Sequence, residues 1–324
     1  MKKTFKVLLG AAVLVTEVFA LALPILTTSV KADGHPIQAI THAGFGGGTD
    51  VTTRMMLLRT RRYLKQDMQL VNKKGGGGAA SMDYMMTLPA DGQHTLTWTT
   101  GHAVSMALGK TKVKLSDMQP LARGTDDPQL FVVNCKNDIK DAKKFVSAQK
   151  SKSLKYGTTH VGGIDDVSAI AFTKKGNLTD PTIVAYKGVA PIKTNLIKGD
   201  IDVGVLNLGE AVTEIEDGTL CVAVVLASKR MDKLSNVPTA TELGIPVVLS
   251  TVRGFVTRKG VPADRKKQLE DAMIKAMEHK YFQSFLTDIG LDSTSVVGAD
   301  EWGKQMEVML AEMTAQLKAL GYIN

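Results

Sequence analysis

The stretch Gly-Phe-Gly-Gly-Gly-Thr-Asp, residues 44–50, decides how this chain folds and where a ligand could bind. A strand-like run, residues 36–41, leads into it, and a helix-like run, residues 51–66, follows it. Glycines let the backbone approach a ligand closely, and the first N–H groups of a helix have no partner within that helix. Thr49 and Asp50 fall where a helix cap belongs, at the positive end of the helix dipole. The stretch therefore predicts a seat for an anion, although a purely structural turn would carry the same glycines.

The glycine runs of this chain partly match two nucleotide-binding motifs, but neither motif is complete. Residues 44–49 read Gly-x-Gly-x-x-Thr, so the third glycine of the dinucleotide fingerprint is missing. A second run, residues 75–78, is followed by Ala-Ala-Ser rather than by Lys-Ser or Lys-Thr, which excludes a Walker phosphate loop. We therefore expect no cofactor.

The first 32 residues have the pattern of an export signal. Three lysines within the first six residues precede a mostly apolar run, residues 7–26, and Val30 and Ala32 are small residues at the −3 and −1 positions of a cleavage site. A retained membrane anchor is the alternative, but Glu17 and Pro24 interrupt the apolar run. We therefore expect a signal peptide that is cleaved near Ala32 and a periplasmic protein.

Charge and composition favour small anions over nucleic acid. Removing the leader takes away four lysines and one glutamate, which lowers the formal net charge from +8 to +5. The remaining basic residues are scattered, and aromatic residues make up only 5% of the chain, so a basic nucleic-acid-binding face is not indicated. A mildly basic exported protein suits anionic solutes.

Two cysteines, Cys135 and Cys221, lie far apart in the chain without the spacing of a metal site. Each lies next to an apolar, strand-like run. If those two strands are antiparallel neighbours, the sulfurs could form a disulfide in an oxidising compartment. Two buried thiols are the alternative, because the sequence does not give the Cα separation.

Strand-like and helix-like runs alternate along the chain, and the initial βαβαβ order predicts a parallel sheet covered by helices. The predicted strands are 37–41, 69–72, 94–99, 130–133, 154–156, 182–185, 201–206, 221–226 and 252–257. The predicted helices are 51–66, 80–88, 142–149, 167–174, 192–198, 263–278, 281–288 and 300–320. We expect an α/β protein of two lobes, residues 33–130 plus 228–324 and residues 131–227.

Ligands of open α/β sheets gather at the carboxyl ends of the strands, so a cleft between the lobes would collect the loops found there. These loops are residues 44–50, 99–102, 156–164, 186–188 and 207–210.

Several of these loops carry motifs of one family. The motifs are Gly-Gly-Gly-Thr-Asp at 46–50, the glycine-rich segment at 74–78, Ala-Asp-Gly at 90–92, Tyr-Gly-Thr-Thr at 156–159, Tyr-Lys-Gly at 186–188, Gly-Asp-Ile-Asp-Val at 199–203, Val-Pro-Thr at 237–239 and Glu-Leu-Gly at 242–244. With these motifs in the same order along residues 36–321, the chain resembles the extracytoplasmic substrate-binding receptors of tripartite tricarboxylate transporters, the Bug receptor family.

The resemblance implies a two-lobed type II periplasmic-binding-protein fold that closes on a small carboxylate and delivers it to a membrane permease. It also implies that the first loop and the 156–159 loop hold the carboxylate from opposite lobes, partly through water. Hydroxyls of Thr49, Thr158 and Thr159, with helix-start N–H groups, would offer donors without burying a rival charge. The chain departs from the family pattern at His42 and Phe45, where prolines are usual, and again at residues 160–163.

Individual residues in these loops suit different contacts with an acid. His102 and His160 could each donate to a second carboxylate or be simple polar loop residues. Phe45 could stack on a planar acid or pack against the neighbouring lobe. Arg253 could clamp a distal carboxylate or pair with an acid at the lobe junction. Asp50 suits a helix cap better than an anion contact. The predicted ligand-binding residues are Gly44, Phe45, Gly46, Thr49, Asp50, Thr100, His102, Thr158, Thr159, His160, Tyr186, Asn207 and Arg253.

A catalytic or metal site is not indicated. The aspartate pairs at 126–127 and 165–166 lack the spaced ligands of a calcium loop, and we interpret them as solvated turn residues. The rival class is an exported hydrolase acting on a small anionic substrate, with Ser105, His102 and Asp126 as its catalytic trio. We expect instead a monomeric receptor whose partners are a small organic carboxylate and the permease subunits of a tripartite transporter.

Overall fold

The alternating elements form two sheets in the computed structural model, which describes residues 35–159, 161–319 and 321–323. The predicted leader and its cleavage site lie outside the described residues. Within the described ranges, no helix is long and apolar enough to cross a bilayer.

The first sheet has six strands in the order β11-β4-β10-β3-β1-β2. They are β1 (Ile37–Thr41), β2 (Met68–Asn72), β3 (His94–Thr99), β4 (Met118–Pro128), β10 (Ser250–Arg258) and β11 (Val297–Gly298). Strand β1 pairs in parallel with β2 and β3, as the βαβαβ order predicts, whereas β10 is antiparallel to both β3 and β4. The sheet is therefore mixed rather than wholly parallel.

The second sheet has five strands in the order β7-β6-β8-β5-β9. They are β5 (Leu130–Asn134), β6 (Lys155–Thr158), β7 (Thr182–Ala185), β8 (Val203–Leu206) and β9 (Leu220–Val225). Strand β6 is parallel to β7 and β8, while β5 runs antiparallel to β8 and β9.

Helices connect these strands and cover the sheets. They are α1 (Gly48–Leu64), α2 (Ala79–Met86), α3 (Thr100–Ala107), α4 (Ala142–Ser151), α5 (Ile164–Lys175), α6 (Val189–Lys198), α7 (Leu208–Glu216), α8 (Ala263–Glu278), α9 (Lys280–Asp288) and α10 (Ala299–Ala319). Helix α1 is held against β3 by a hydrogen bond between the buried hydroxyls of Thr53 and Thr97, 2.8 Å apart. This contact fixes the direction in which the start of α1 points.

The chain passes between the sheets along two adjacent segments. Strand β4 continues into β5 through Gln129, whose N–H donates to the carbonyl of Leu249 and whose carbonyl accepts from the N–H of Leu226. The two crossing segments are thus hydrogen bonded side by side. The lobe boundaries predicted near 130 and 227 stay a prediction.

Four elements of the two sheets and their helices were not predicted: β4, β11, α3 and α7. Strand β4 was missed because its sequence contains Pro, Gly and two adjacent Asp, which strands disfavour, and its flanking strands β10 and β11 supply its pairing. Helices α3 and α7 begin directly after strands, so the predicted loops 99–102 and 207–210 are helix starts.

The interpretation of the aspartate pairs as solvated turn residues is wrong. Asp127 lies in β4 and is only 3% exposed, and Asp126 is partly buried beside it. Asp165 and Asp166 lie buried in the first turn of α5. Their carboxylates accept hydrogen bonds from the loop ahead of that helix, including the N–H groups of Thr159 and Gly162, so burial is compensated locally.

Cys135 and Cys221 are joined by a disulfide, with their Cα atoms 5.0 Å apart. The antiparallel register of β5 and β9 places Val133 opposite Cys221, which brings the two sulfurs to the same end of the pair. The disulfide therefore ties the two ends of a segment that contains most of the second sheet.

We predict that reducing this disulfide destabilises the protein. The bond closes a loop with a sequence separation of 86, and loss of such a constraint on the unfolded chain costs roughly 2–5 kcal/mol. Urea unfolding with and without reductant would measure the change. A Cys135→Ala/Cys221→Ala variant should have the same urea midpoint as the reduced wild type, and reductant should not change that midpoint. Equal midpoints for the oxidised and the reduced wild type would contradict the prediction.

Candidate functional site

A cavity of about 320 Å³ opens between the first-sheet and second-sheet elements. It lies at the carboxyl ends of β1, β7 and β8, in agreement with the general expectation for open α/β sheets. Its walls come from the first loop and α1, from α6 and α7, and from three other elements. The lining residues are Gly46, Gly47, Gly48, Val51, Thr52, Asp127, Val189, Ala190, Lys193, Gly209, Glu210, Arg253, Phe285 and Ile289.

The start of α1 forms one wall of this cavity. Gly47 is the N-cap, and helical bonding begins with the Val51 N–H donating to the Gly47 carbonyl, so the N–H groups of the first three helical residues precede the internal ladder. Asp50 is therefore a first-turn residue and not the cap. Its buried carboxylate accepts from the Gly46 N–H at 3.0 Å and from Arg54 at 2.9 Å, and so it closes the loop internally.

A carboxylate from the second sheet faces this helix start. Glu210, in the first turn of α7, accepts the N–H of Asn207 at 3.1 Å, and a Cβ added to Gly48 would lie 3.3 Å from its Oε1. Burial of the carboxylate raises the pKa of Glu210, while Arg253 and the N–H groups of Asn207 and Gly48 oppose that rise. The predicted anion seat thus already faces a carboxylate of the protein itself.

Arg253 of β10 connects the elements around the cavity. Its guanidinium donates to Asp127 Oδ2 at 2.9 Å, to Asn207 Oδ1 at 3.1 Å and to Thr49 Oγ1 at 3.2 Å. The residue is 2% exposed. Of the two roles that the sequence left open, the structure shows pairing with an acid at the junction of the sheets. The amide of Asn207 also donates to the carbonyls of Asp127 and Pro128, which fixes the start of α7.

Arg253 is ion-paired with Asp127 and also acts electrostatically on the carboxylate of Glu210. Burial raises the pKa of Asp127 to about 7, against the lowering effect of Arg253, and the nearby carboxylates of Glu210 and Asp126 add to the rise. Oδ1 of Asp127 has no hydrogen-bond partner among the residues that the structure describes. The expectation of donors without a buried rival charge is therefore wrong, because two acidic side chains line the cavity.

The predicted binding loop at residues 156–159 does not line this cavity, unlike the loop at residues 44–50. The N–H and hydroxyl of Thr159 both donate to Asp165, at 2.9 and 2.6 Å, and Thr158 is fully buried with its carbonyl accepting from the Tyr186 N–H. Thr158, Thr159 and Tyr186 do not line this cavity. His160 lies outside the described residues. Ligand contact by this loop stays a prediction.

Thr100 and His102 are almost fully buried and form hydrogen bonds within the first sheet and its helices, so their predicted place in the cleft is wrong. The Thr100 hydroxyl donates to the Ser250 carbonyl and accepts the Val252 N–H. His102 is 0% exposed, and its Nδ1 accepts the Thr99 N–H at 3.0 Å. Its Nε2 therefore carries the proton and faces Ser81 Oγ, while burial lowers the pKa of the imidazole well below its usual value.

The hydrolase trio does not form a catalytic set. Ser105 donates to the carbonyls of Gly76 and Gly77, and Asp126 contacts Arg123 and Gln305. Neither is bonded to His102, whose nitrogens have other partners.

Phe45 projects from the first loop and is 77% exposed, so it does not pack against the second sheet. The ammonium group of Lys74 lies 5.3 Å from its ring centroid. Gly44 is exposed beside it.

The predicted binding residues did not include Asp127, Lys193, Phe285 or Ile289, and Glu210 was predicted only as part of the cleft loop 207–210. The Asn207-x-x-Glu210 spacing of a capping box was the signal that could have identified Glu210 at a helix start. Phe285 and Ile289 come from around the end of α9, and their approach to the cavity follows only from the tertiary packing.

This architecture, two α/β lobes with a cavity between them, defines a type II periplasmic-binding-protein fold. Residues 52–320 match the family model described as the tripartite tricarboxylate transporter family receptor, so the chain belongs to that family of solute receptors, which are not enzymes.

Individual relatives agree with this assignment. The BugT protein of Bordetella pertussis is 25% identical over 232 residues, which cover 68% of this chain and 70% of that protein. The MatC structure from Rhodopseudomonas palustris, with bound malate, superposes with a TM-score of 0.78 at 22% identity and covers 87% of this chain and 98% of its own. An R. palustris protein with adipate gives a TM-score of 0.80 at 21% identity, covering 90% and 99%.

We predict that Gly48→Ala disturbs this site without straining the backbone. An alanine Cβ would lie 2.6 Å from the Arg253 guanidinium, and Gly48 is the first helical residue, where alanine is well tolerated. Solute affinity should fall at least tenfold, measured by calorimetry with any solute that binds the wild type. Gly44→Ala in the same loop, with only an ordinary 3.8 Å contact to Lys74, should bind like the wild type. Equal affinities for both variants would refute this account of the helix start.

We predict that Asp127 makes stability fall as the pH rises. Because its folded pKa lies above that of an ordinary Asp, the folded state keeps a proton that the unfolded state has released. This stabilisation is complete below about pH 4 and is lost as the pH rises through about 7. The free energy of unfolding of the wild type minus that of Asp127→Asn should decline across this range, measured by urea titration at several pH values. A difference that rises or stays level would exclude the assigned shift.

Proposed function

We propose that this protein is an extracytoplasmic receptor that binds a small organic carboxylate between its lobes and delivers it to the membrane permease of a tripartite tricarboxylate-type transporter. The observation that carries the proposal is the cavity bounded by Gly46–Gly48 on one side and by Val189, Lys193 and Glu210 on the other. A solute in this position contacts elements of both sheets at once.

The size of the cavity and the relatives support a small acid. A volume of about 320 Å³ lies at the lower end of the range of ligand pockets, which fits a solute of a few carbon atoms. Malate and adipate, found with the two R. palustris neighbours, are acids of this size class. Family membership supports the tripartite permease as the partner.

Delivery requires that closure depends on the solute. A ligand shifts an open–closed equilibrium only by its differential affinity for the two forms, and a cavity walled by both lobes exists as a binding site only when the lobes are close. We place the lobes at residues 33–130 plus 228–324 and 131–227, with the paired crossing segments at Gln129 as the hinge. In this proposal the receptor is a periplasmic monomer whose leader is removed near Ala32.

We predict that at least one small carboxylate raises the melting temperature of the protein. A ligand that binds only the folded state stabilises it by mass action, by about 2.7 kcal/mol at a concentration of 100 Kd. A thermal-shift screen with mono-, di- and tricarboxylates, followed by calorimetry, would identify it. Chemical turnover of a panel member, or a panel without any stabilising acid, would count against the receptor proposal.

A further inference from the structure

The outer side of α1 carries charge of one sign. Asp50 is the only acidic residue of this helix, and its carboxylate is already bonded to Arg54. Four further cations follow within residues 59–65, and a fifth begins α9, which lies beside α1. These cations are Arg59, Arg61, Arg62, Lys65 and Lys280. None of the five is ion-paired with another residue that the structure describes.

Contacts at the start of α9 show that the cations of the two helices are close together. Cζ of Arg59 lies 4.7 Å from the centroid of the Tyr281 ring, and Nζ of Lys280 lies 5.6 Å from the same centroid. Burial lowers the pKa of His279, and the positive charges of Arg59, Lys280 and Arg62 lower it further. The cations therefore form one positive surface.

Large apolar side chains are exposed among these cations. Leu58 and Tyr63 of α1 and Tyr281 of α9 are each between 45% and 54% exposed. Leu58 shares one side of α1 with three of the cations, because residues three, four and seven positions further along a helix lie on the same face. Cations that surround exposed tyrosine and leucine are typical of helices that lie on a bilayer, where the charges contact lipid phosphates and the apolar groups enter the headgroup region.

The α1–α9 surface, formed by these five cations and three apolar side chains, is separate from the solute site. Helix α1 begins at the cavity and α9 ends near it, since Gly48 and Phe285 line its wall. The surface is formed instead by the end of α1 and the start of α9. At a rise of about 1.5 Å per residue, Arg62 lies about 20 Å along α1 from Gly48.

Charge and shape identify the partner that this surface fits. The acids nearest along the chain are Asp67 and Glu278, and against them stand five cations, so the surface is positive overall. The outer sides of two neighbouring helices are convex. A layer of lipid phosphates can neutralise all of these cations at once without a matching arrangement of acids, and its headgroup region also covers Leu58 and the two tyrosines.

We propose that the α1–α9 surface docks the protein on a membrane that contains anionic phospholipids. The docking goes beyond the proposed function, which concerns the solute and not the surface on which the protein waits or moves. It is peripheral and reversible, because it depends on a few exposed charges and on shallow burial of three side chains.

Cosedimentation with lipid vesicles tests the proposal. The wild type should bind vesicles of equal parts phosphatidylglycerol and phosphatidylcholine more tightly than vesicles of phosphatidylcholine alone, and salt should weaken the binding by screening. Leu58→Ser removes an exposed apolar side chain without changing the charge and should also weaken it.

Arg59→Glu/Arg62→Glu is the informative variant. Each basic side chain near an anionic surface contributes to binding, so this double reversal should lower the partition coefficient roughly tenfold or more. Lys143→Glu/Lys150→Glu, at two exposed positions of α4, changes the net charge by the same amount and should bind like the wild type. Melting curves establish folding, and Arg61→Glu/Lys65→Glu is the substitute if the first variant does not fold.

The outcomes decide between a bilayer and the other partners. Equal binding of the wild type to both kinds of vesicle overturns the proposal, and so does a folded Arg59→Glu/Arg62→Glu variant that binds as its control does. Binding to a poly-glutamate peptide without binding to the vesicles overturns the bilayer in favour of an acidic protein surface. All variants share the same amino terminus, so that terminus cannot account for a difference, and solute binding tests the receptor proposal separately.

Discussion

The buried contact between Arg253 and Asp127 is the constraint on which the site depends. A guanidinium and a carboxylate that are almost fully buried are stable only when each keeps its partners, because an unpaired buried charge is strongly destabilising. Through its remaining donors Arg253 reaches Thr49 at the start of α1 and Asn207 at the start of α7. One side chain therefore aligns two helix starts from different sheets, and the cavity is the space between them.

In both lobes, an acidic residue in the first turn of a helix accepts a hydrogen bond from the loop before it. In the first, the Asp50 carboxylate accepts the Gly46 N–H of the preceding loop; in the second, Asp165 accepts from Thr159. An acidic residue in the first turn also interacts favourably with the helix dipole. The glycine-rich and Tyr-Gly-Thr-Thr loops are thus held in shape by internal acids, which leaves fewer backbone donors for a ligand than loop composition suggests.

Local sequence pattern was sufficient for most of the strands and helices but not for the site. Strands 37–41, 94–99 and 182–185 and helix 263–278 were predicted with their observed bounds, because apolar periodicity and turn residues are local properties. The turn between β1 and α1 followed for the same reason, although the helix cap is Gly47 and not Thr49 or Asp50. The partners of that turn did not, since Glu210 and Phe285 approach it from remote parts of the chain, and the burial of Asp127 depends on β10. A histidine such as His102 looks the same in sequence whether it faces a cleft or bonds to Ser81 in the core.

A carboxylate of the protein at an anion seat changes what selectivity means for this receptor. Under the proposed function, an acid that approaches the start of α1 meets the carboxylate of Glu210, which lines the same cavity and lies near Gly48. Repulsion between like charges is one way in which a site can discriminate among small acids. The same side chain lies across the gap between the sheets, near Gly48, and therefore joins the start of α7 to the start of α1.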